Sequence, residues 1–172
     1  MGIIPDGSAA RGRGMPWVMM GIAVVVLAAD QVSKSIILAT QPATGTGWIA
    51  VQLVRNTGAS GGIASGYPVL VTLAALAIAC GAIVFAIRVR SRAVAVCLAA
   101  VCGGALGNLS DRIFRAPGFG RGAVVDWIHI AGRGGSFNVA DTAIQFGAIA
   151  AVIAMFLADR AAKTGERELA KP

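Results

Sequence analysis

The residues with most chemical potential are acids in apolar surroundings. Of eight Asp and Glu in 172 residues, Asp6, Asp159, Glu166 and Glu168 lie towards the chain ends, whereas Asp30, Asp111, Asp126 and Asp141 lie inside the apolar body. Two carboxylates brought together in a dry site cannot both ionise easily, so one holds its proton near neutral pH. Such a pair supplies a general base and a general acid. One carboxylate can activate water while the other polarises a carbonyl, without a covalent intermediate or a metal. Asp30 has Lys34 four residues on, and Asp111 neighbours Arg112, which gives both a structural explanation. Asp126 and Asp141 have no cation at helical spacing. The same four acids would also serve a proton relay in a small channel or transporter subunit, or simple Asp–Arg pairing between helices.

Other reactive types argue against different chemistry. Cys80, Cys97 and Cys102 form no C-x-x-C pair, and His129 is the lone histidine. The cysteines read as small packing residues, and the sequence predicts neither a metal site nor a cofactor. Fifteen Lys and Arg give a formal charge of +7, but they fall in short runs beside apolar segments rather than among aromatics. The expected partner is therefore lipid, not nucleic acid.

What must position these acids is a membrane bundle. The composition is 56% hydrophobic and 13% charged, about half the charge of a soluble domain, where roughly 25% is usual. The mean hydropathy is +0.75. Charge-poor intervals predict four transmembrane helices over 15–39, 68–87, 93–111 and 140–158, each long enough to cross. The fold class expected is an all-α membrane protein with a small extracytoplasmic β or loop element, forming a single membrane domain over 1–172. The first apolar run could be a cleaved secretory signal, but the pattern resumes after Lys34, which favours an uncleaved span.

Orientation and depth follow. Arg11 and Arg13, then Arg88, Arg90 and Arg92, then Arg160, Lys163, Arg167 and Lys171 share one side of a four-span topology. This makes 1–14 and 159–172 cytoplasmic tails, and 40–67 and 112–139 outer connections. Arg92 to Asp111 and Asp141 to Arg160 are each 19 positions, about 28 Å of helix, and Arg13 to Asp30 spans about 26 Å. Three acids on three helices thus reach one level at the outer boundary, and Asp126 lies in the connection between two of them. In the first connection, Ile49, Val51 and Leu53 alternate as in a strand. Asn56 to Gly62 reads as a turn. The second is rich in Gly and Arg, with an apolar island at Ala123–Ile128.

At these residues the chain resembles the lipoprotein signal peptidases, or signal peptidase II, membrane aspartic peptidases of bacteria. The matching segments, in the family's order, are Asp30-Gln31-Val32-Ser33-Lys34, Asn56-Thr57-Gly58-Ala59, Gly103 to Arg112, Val124-Val125-Asp126-Trp127-Ile128 and Phe137 to Ile144. The resemblance implies removal of signal peptides from prolipoproteins by cutting before a diacylglyceryl-modified cysteine. It implies Asp126 and Asp141 as catalytic dyad, with Asn56, Asn108, Arg112 and Asn138 lining the site or holding the substrate backbone. Asp30 and Asp111 would be supporting acids, and Gly104 would allow close approach at the pocket. The expectation is a monomer in the bacterial cytoplasmic membrane, with both termini cytoplasmic, as the basic clusters indicate, and the active site towards the outer face. Three features depart from the family pattern: Ser60-Gly61-Gly62 after the turn, the 15 positions between Asp111 and Asp126, and Trp127 beside the aspartate.

Overall fold

A computed structural model describes residues 15–42, 45, 47–59, 63–89, 91–132 and 134–169. Asp6, Arg11, Arg13, Arg90, Arg133, Lys171 and the Ser60-Gly61-Gly62 departure lie outside the described residues. Four helices are long and apolar enough to cross a membrane: α1 (Met15–Thr40), α2 (Pro68–Arg88), α3 (Arg92–Phe114) and α4 (Val139–Leu169). Strand β1 (Ile49–Asn56) lies between α1 and α2. Strands β2 (Val124–Ile130) and β3 (Ser136–Phe137) lie between α3 and α4.

The helices depend on α3. Half of its spanning window is buried, against 17% in each of the others, and α1, α2 and α4 all pack on it. Its sequence explains this role. Small residues at Ala99, Cys102, Gly103, Gly104, Ala105 and Gly107 are buried and let neighbouring backbones approach. A Cβ placed on Gly104 would lie 2.5 Å from the Ala140 carbonyl oxygen, and one on Gly107 would lie 2.5 Å from Asp30 Oδ2. Those two glycines therefore set the spacing of α3 from α4 and from α1 near the acids. Elsewhere α1, α2 and α4 present large apolar side chains outwards, such as Val25, Leu70, Ile83, Phe146 and Val152, a surface suited to lipid. Ala86, Val94, Leu98 and Ala151 close the opposite end of the bundle.

The strands form one antiparallel sheet in the order β1-β2-β3. In β1, Val54, Arg55 and Asn56 pair with Asp126, Val125 and Val124, and the register shifts between Val51 and Val54. The sheet is tied to the bundle where Asp111 Oδ2 accepts the Val125 N–H at 3.1 Å. The long link after α3 folds back on that helix: Gly122 N–H donates to Arg112 O, and Thr72 of α2 donates to Gly120 O at 2.8 Å.

Two helices extend beyond the expected spans. Helix α3 runs past 111 to Phe114, and α4 begins at Val139 and continues past 158 to Leu169. The charges from Asp159 onwards end the apolar span, not the helix, because Lys, Arg and Glu are good helix formers. Within the 112–139 connection the apolar island forms the central strand of the sheet, part of the β element expected on this side. The strand expected from the alternation of Ile49, Val51 and Leu53 is present, with Ile49 and Val51 exposed and Ala50 buried. Alternation identifies a strand's two faces but not which one the bundle covers.

Replacing Gly104 by Ala should press a methyl group against the α4 backbone. Overpacking of this kind costs about 1–3 kcal/mol. Thermal unfolding in detergent should show a lowered midpoint, with a larger loss for Gly104→Val than for Gly104→Ala.

Candidate active site

Asp126 and Asp141 are brought together by one residue between them. Asp126 lies in β2, 1% exposed. Its Oδ1 accepts Asn138 Nδ2 at 2.7 Å and its Oδ2 accepts Asn56 Nδ2 at 3.0 Å. Asp141 stands in the first turn of α4, where the helix dipole favours negative charge. Its Oδ1 accepts Asn108 Nδ2 at 2.8 Å, and its Oδ2 accepts the Asn138 N–H at 3.3 Å. Asn138 is thus both helix cap and site residue: its Oδ1 accepts the Asp141 N–H at 2.8 Å while its amide nitrogen reaches Asp126.

The amides have little freedom to turn. Asn56 Oδ1 accepts the Gly58 N–H at 2.8 Å, which commits its nitrogen to Ala59 O and Asp126. Asn108 Oδ1 accepts both Lys34 Nζ at 3.0 Å and Asn138 Nδ2 at 3.1 Å, which commits its nitrogen to Asp141. Every dyad oxygen consequently meets an N–H donor. A buried amide turned the wrong way would face a carboxylate with its own oxygen, at a cost comparable to an unsatisfied polar group.

Behind the amides lies a charged cluster. Lys34, fully buried, contacts Asp30 Oδ2 at 2.7 Å and Asp111 Oδ2 at 2.9 Å. Asp111 Oδ1 also takes Arg115 Nε at 2.6 Å, and Asp30 Oδ1 accepts the Ala140 N–H at 2.9 Å. These acids therefore join α1, α3, β2 and the start of α4. The expected Asp30–Lys34 pair is present. Arg112, expected to pair with its neighbour Asp111, instead points to the turn after β1: Nη2 donates to Gly58 O at 2.5 Å and Nη1 to Thr57 O at 3.5 Å. Consecutive residues on a helix do not face each other, so Asp111 takes Arg115 at i+4.

The dyad opens into a cavity of about 290 Å³. Asn56, Asn108, Arg112, Asp126 and Asp141 line one part of it, and Val71, Ala74, Ala75 and Ile78 of α2 form an apolar wall. Gly104 does not line this space; its neighbour Ala105 does. Burial pushes the Asp126 carboxyl up to about 6, with the nearby Asp141 charge adding to the rise and the Asn56 and Asn138 amides opposing it.

Comparison with known proteins fits this geometry. A sequence model described as signal peptidase (SPase) II matches residues 22–157. The chain belongs to the signal peptidase II family. It is 39% identical over 158 residues to the lipoprotein signal peptidase of Streptomyces griseus subsp. griseus, covering 87% of this chain and 78% of that one. The Mycobacterium tuberculosis lipoprotein signal peptidase is 41% identical over 140 residues, covering 78% of this chain and 69% of the relative. A bacterial membrane enzyme solved by the in meso method at 2.3 Å superposes with a TM-score of 0.69 at 29% identity, over 80% of this chain and 87% of that one. The protein is thus a membrane peptidase of this family.

Lys34, Gln31 and Arg115 were not among the site residues expected from sequence. Lys34 read only as a partner for Asp30, yet it also fixes the Asn108 amide. Gln31 adds donors to Asp30 Oδ2 at 3.1 Å and Asp111 Oδ1 at 3.3 Å. A lysine buried in an apolar helix was the available signal, because a buried ammonium needs several acceptors.

Lys34→Met should destabilise the protein by about 3–5 kcal/mol, as removing one partner of a buried ion pair does. The double variant Asp30→Asn/Lys34→Met removes one uncompensated charge and should regain much of the thermal midpoint. Peptidase activity should stay low in both, since the Asn108 amide loses a restraint. Full activity in the double variant would show that Lys34 serves stability alone.

Proposed function

We propose that the chain removes signal peptides from diacylglyceryl-modified prolipoproteins, cutting before the lipidated cysteine with Asp126 and Asp141 as an aspartic dyad. The observation that carries this reading is the meeting of both acids on Asn138, at the mouth of a cavity whose other wall is apolar helix. The reaction needs such a site: water and a peptide carbonyl must meet two carboxyl groups while an apolar signal helix and acyl chains stay out of water.

Asp126 carries the proton. Its carboxyl lies up at about 6, whereas Asp141 sits at a helix N-terminus and is one amide away from the Lys34 ammonium. In the first step the Asp141 carboxylate takes a proton from water as the water oxygen bonds to the scissile carbonyl carbon. Asp126 gives its proton to the carbonyl oxygen. When the tetrahedral intermediate collapses, the C–N bond breaks, the leaving nitrogen receives the proton held by Asp141, and Asp126 regains its own. The acyl chains bind along Val71, Ala74, Ala75 and Ile78, away from the reacting bond, and contribute binding energy there. Arg112 supports catalysis indirectly by holding the Asn56–Ala59 turn. Asp30 and Asp111 position the elements that bear the dyad, and Gly104 sets the approach of α4. Neither a metal nor a cofactor is required.

The enzyme is read as a monomer with a single membrane domain, in which one chain supplies the whole site. Arg88 ends α2, Arg92 begins α3, and Arg160 and Lys163 lie in the last third of α4, all away from the end of the bundle that bears the dyad. On the positive-inside rule this supports cytoplasmic termini and a dyad at the outer face of the bacterial cytoplasmic membrane.

Purified protein in detergent should cleave a diacylglyceryl-modified prolipoprotein in the presence of a metal chelator. Asp126→Asn and Asp141→Asn should each lose cleavage while staying folded, with a thermal midpoint lowered because the new side-chain NH2 faces an N–H donor. Survival of cleavage in either variant would reject the dyad, and its absence in folded wild type would favour the proton-relay reading.

The pH dependence has a definite sign. An acid raised to about 6 is protonated below that value and ionised above it. The singly protonated dyad is therefore depleted as pH rises, and kcat/KM should fall about tenfold per unit above pH about 6. A profile rising through pH 6 to 8 would contradict the assignment of Asp126 as proton carrier.

A further inference from the structure

Asp126 and Asn56 stand in the walls of two cavities. The first is the apolar space against α2. The second, of about 220 Å³, is lined by Val54, Arg55, Thr57, Ser65, Gly135 and Ser136 together with that shared pair. None of its lining residues belongs to a membrane helix, and most are polar. Ser136 is anchored by Gln52 Nε2 at 2.8 Å, and the Thr57 hydroxyl donates to Ser65 O at 3.3 Å across the turn. Arg55 is exposed and forms no ion pair among the described residues.

A peptide with its scissile bond at Asp126 must leave the dyad in two directions. The signal segment and the acyl chains are apolar and suit the first cavity. The chain beyond the modified cysteine must reach the outer aqueous side, and the polar cavity between β1 and β3 is the space that adjoins the dyad there. We propose that this second cavity binds the residues following the cysteine, and that Arg55 makes it select acidic side chains at those positions. This inference rests on the peptidase reading above. The carboxyl group in the lining, Asp126, already meets an amide on each oxygen, which leaves Arg55 as the charge that an incoming side chain meets among the described lining residues.

Three substrates test it, identical up to the modified cysteine and carrying Asp, Ser or Lys at the two positions after it. Wild type should cleave the Asp substrate with kcat/KM about two- to fivefold above the Lys substrate, the range of an exposed ion pair, and the difference should lie in KM. Arg55→Glu should reverse that order. Because Arg55 is exposed and the readout is a ratio, general damage to the fold would not mimic the reversal. An unchanged ratio in Arg55→Glu would overturn the proposal. Ser65→Trp, which fills the cavity, should raise KM for all three substrates. A fall in kcat at unchanged KM would overturn it too, marking the cavity as a water path. Failure of wild type to cleave any substrate would instead refute the peptidase reading.

Discussion

Asp30, Asp111 and Asp126 are buried at one end of a four-helix bundle with Asp141 half-buried beside them, and the cost of leaving any of these carboxylates unsatisfied governs the arrangement around them. The protein meets that demand in two ways. Asp30 and Asp111 receive cations, Lys34 and Arg115. Asp126 and Asp141 receive neutral amides, from Asn56, Asn108 and Asn138. The two pairs of acids are thus distinguished by the charge of their donors, within one continuous network.

The network also explains why the site is built from so many elements. Lys34 of α1 fixes the Asn108 amide of α3, and that amide meets Asp141 of α4. Asp111 of α3 holds the backbone of β2 beside Asp126, and Asp30 of α1 holds the backbone of α4 beside Asp141. Helix α2 takes no part in these bonds among the described residues. Its contribution to the site is an apolar wall. Residues of α1, α3 and α4 therefore bear on the dyad itself, while residues of α2 bear on what the cavity admits.

Much of this was legible in the sequence because a membrane imposes two simple signals. Charge-poor length gave four spans, and the distance from the basic ends gave the common level of Asp30, Asp111 and Asp141. Motif order then identified the family, which the matched relatives show. Contacts between non-adjacent helices were less legible. Nothing in the local sequence distinguishes Arg112 from Arg115 as the partner of Asp111 until the helix continues past 111. The three acceptors of Lys34 come from two helices. Strand β2 was hidden because its residues, buried on both sides at Val124 and Val125, lack the alternation that marked β1. The alternation in β1 marked its two faces without saying which one the bundle covers, and Ala50 rather than Ile49 or Val51 is the buried residue.

If Asp126 is the proton carrier of the dyad, its carboxyl holds a proton up to a pH of about 6. Infrared difference spectra of the purified protein in detergent, titrated from pH 4 to 8, read this directly through the carbonyl stretch of a protonated carboxyl group. The expected result is a band that disappears as pH rises through about 6, persists in Asp141→Asn and is absent in Asp126→Asn. A band of that midpoint surviving in Asp126→Asn, or its absence from wild type, would contradict it.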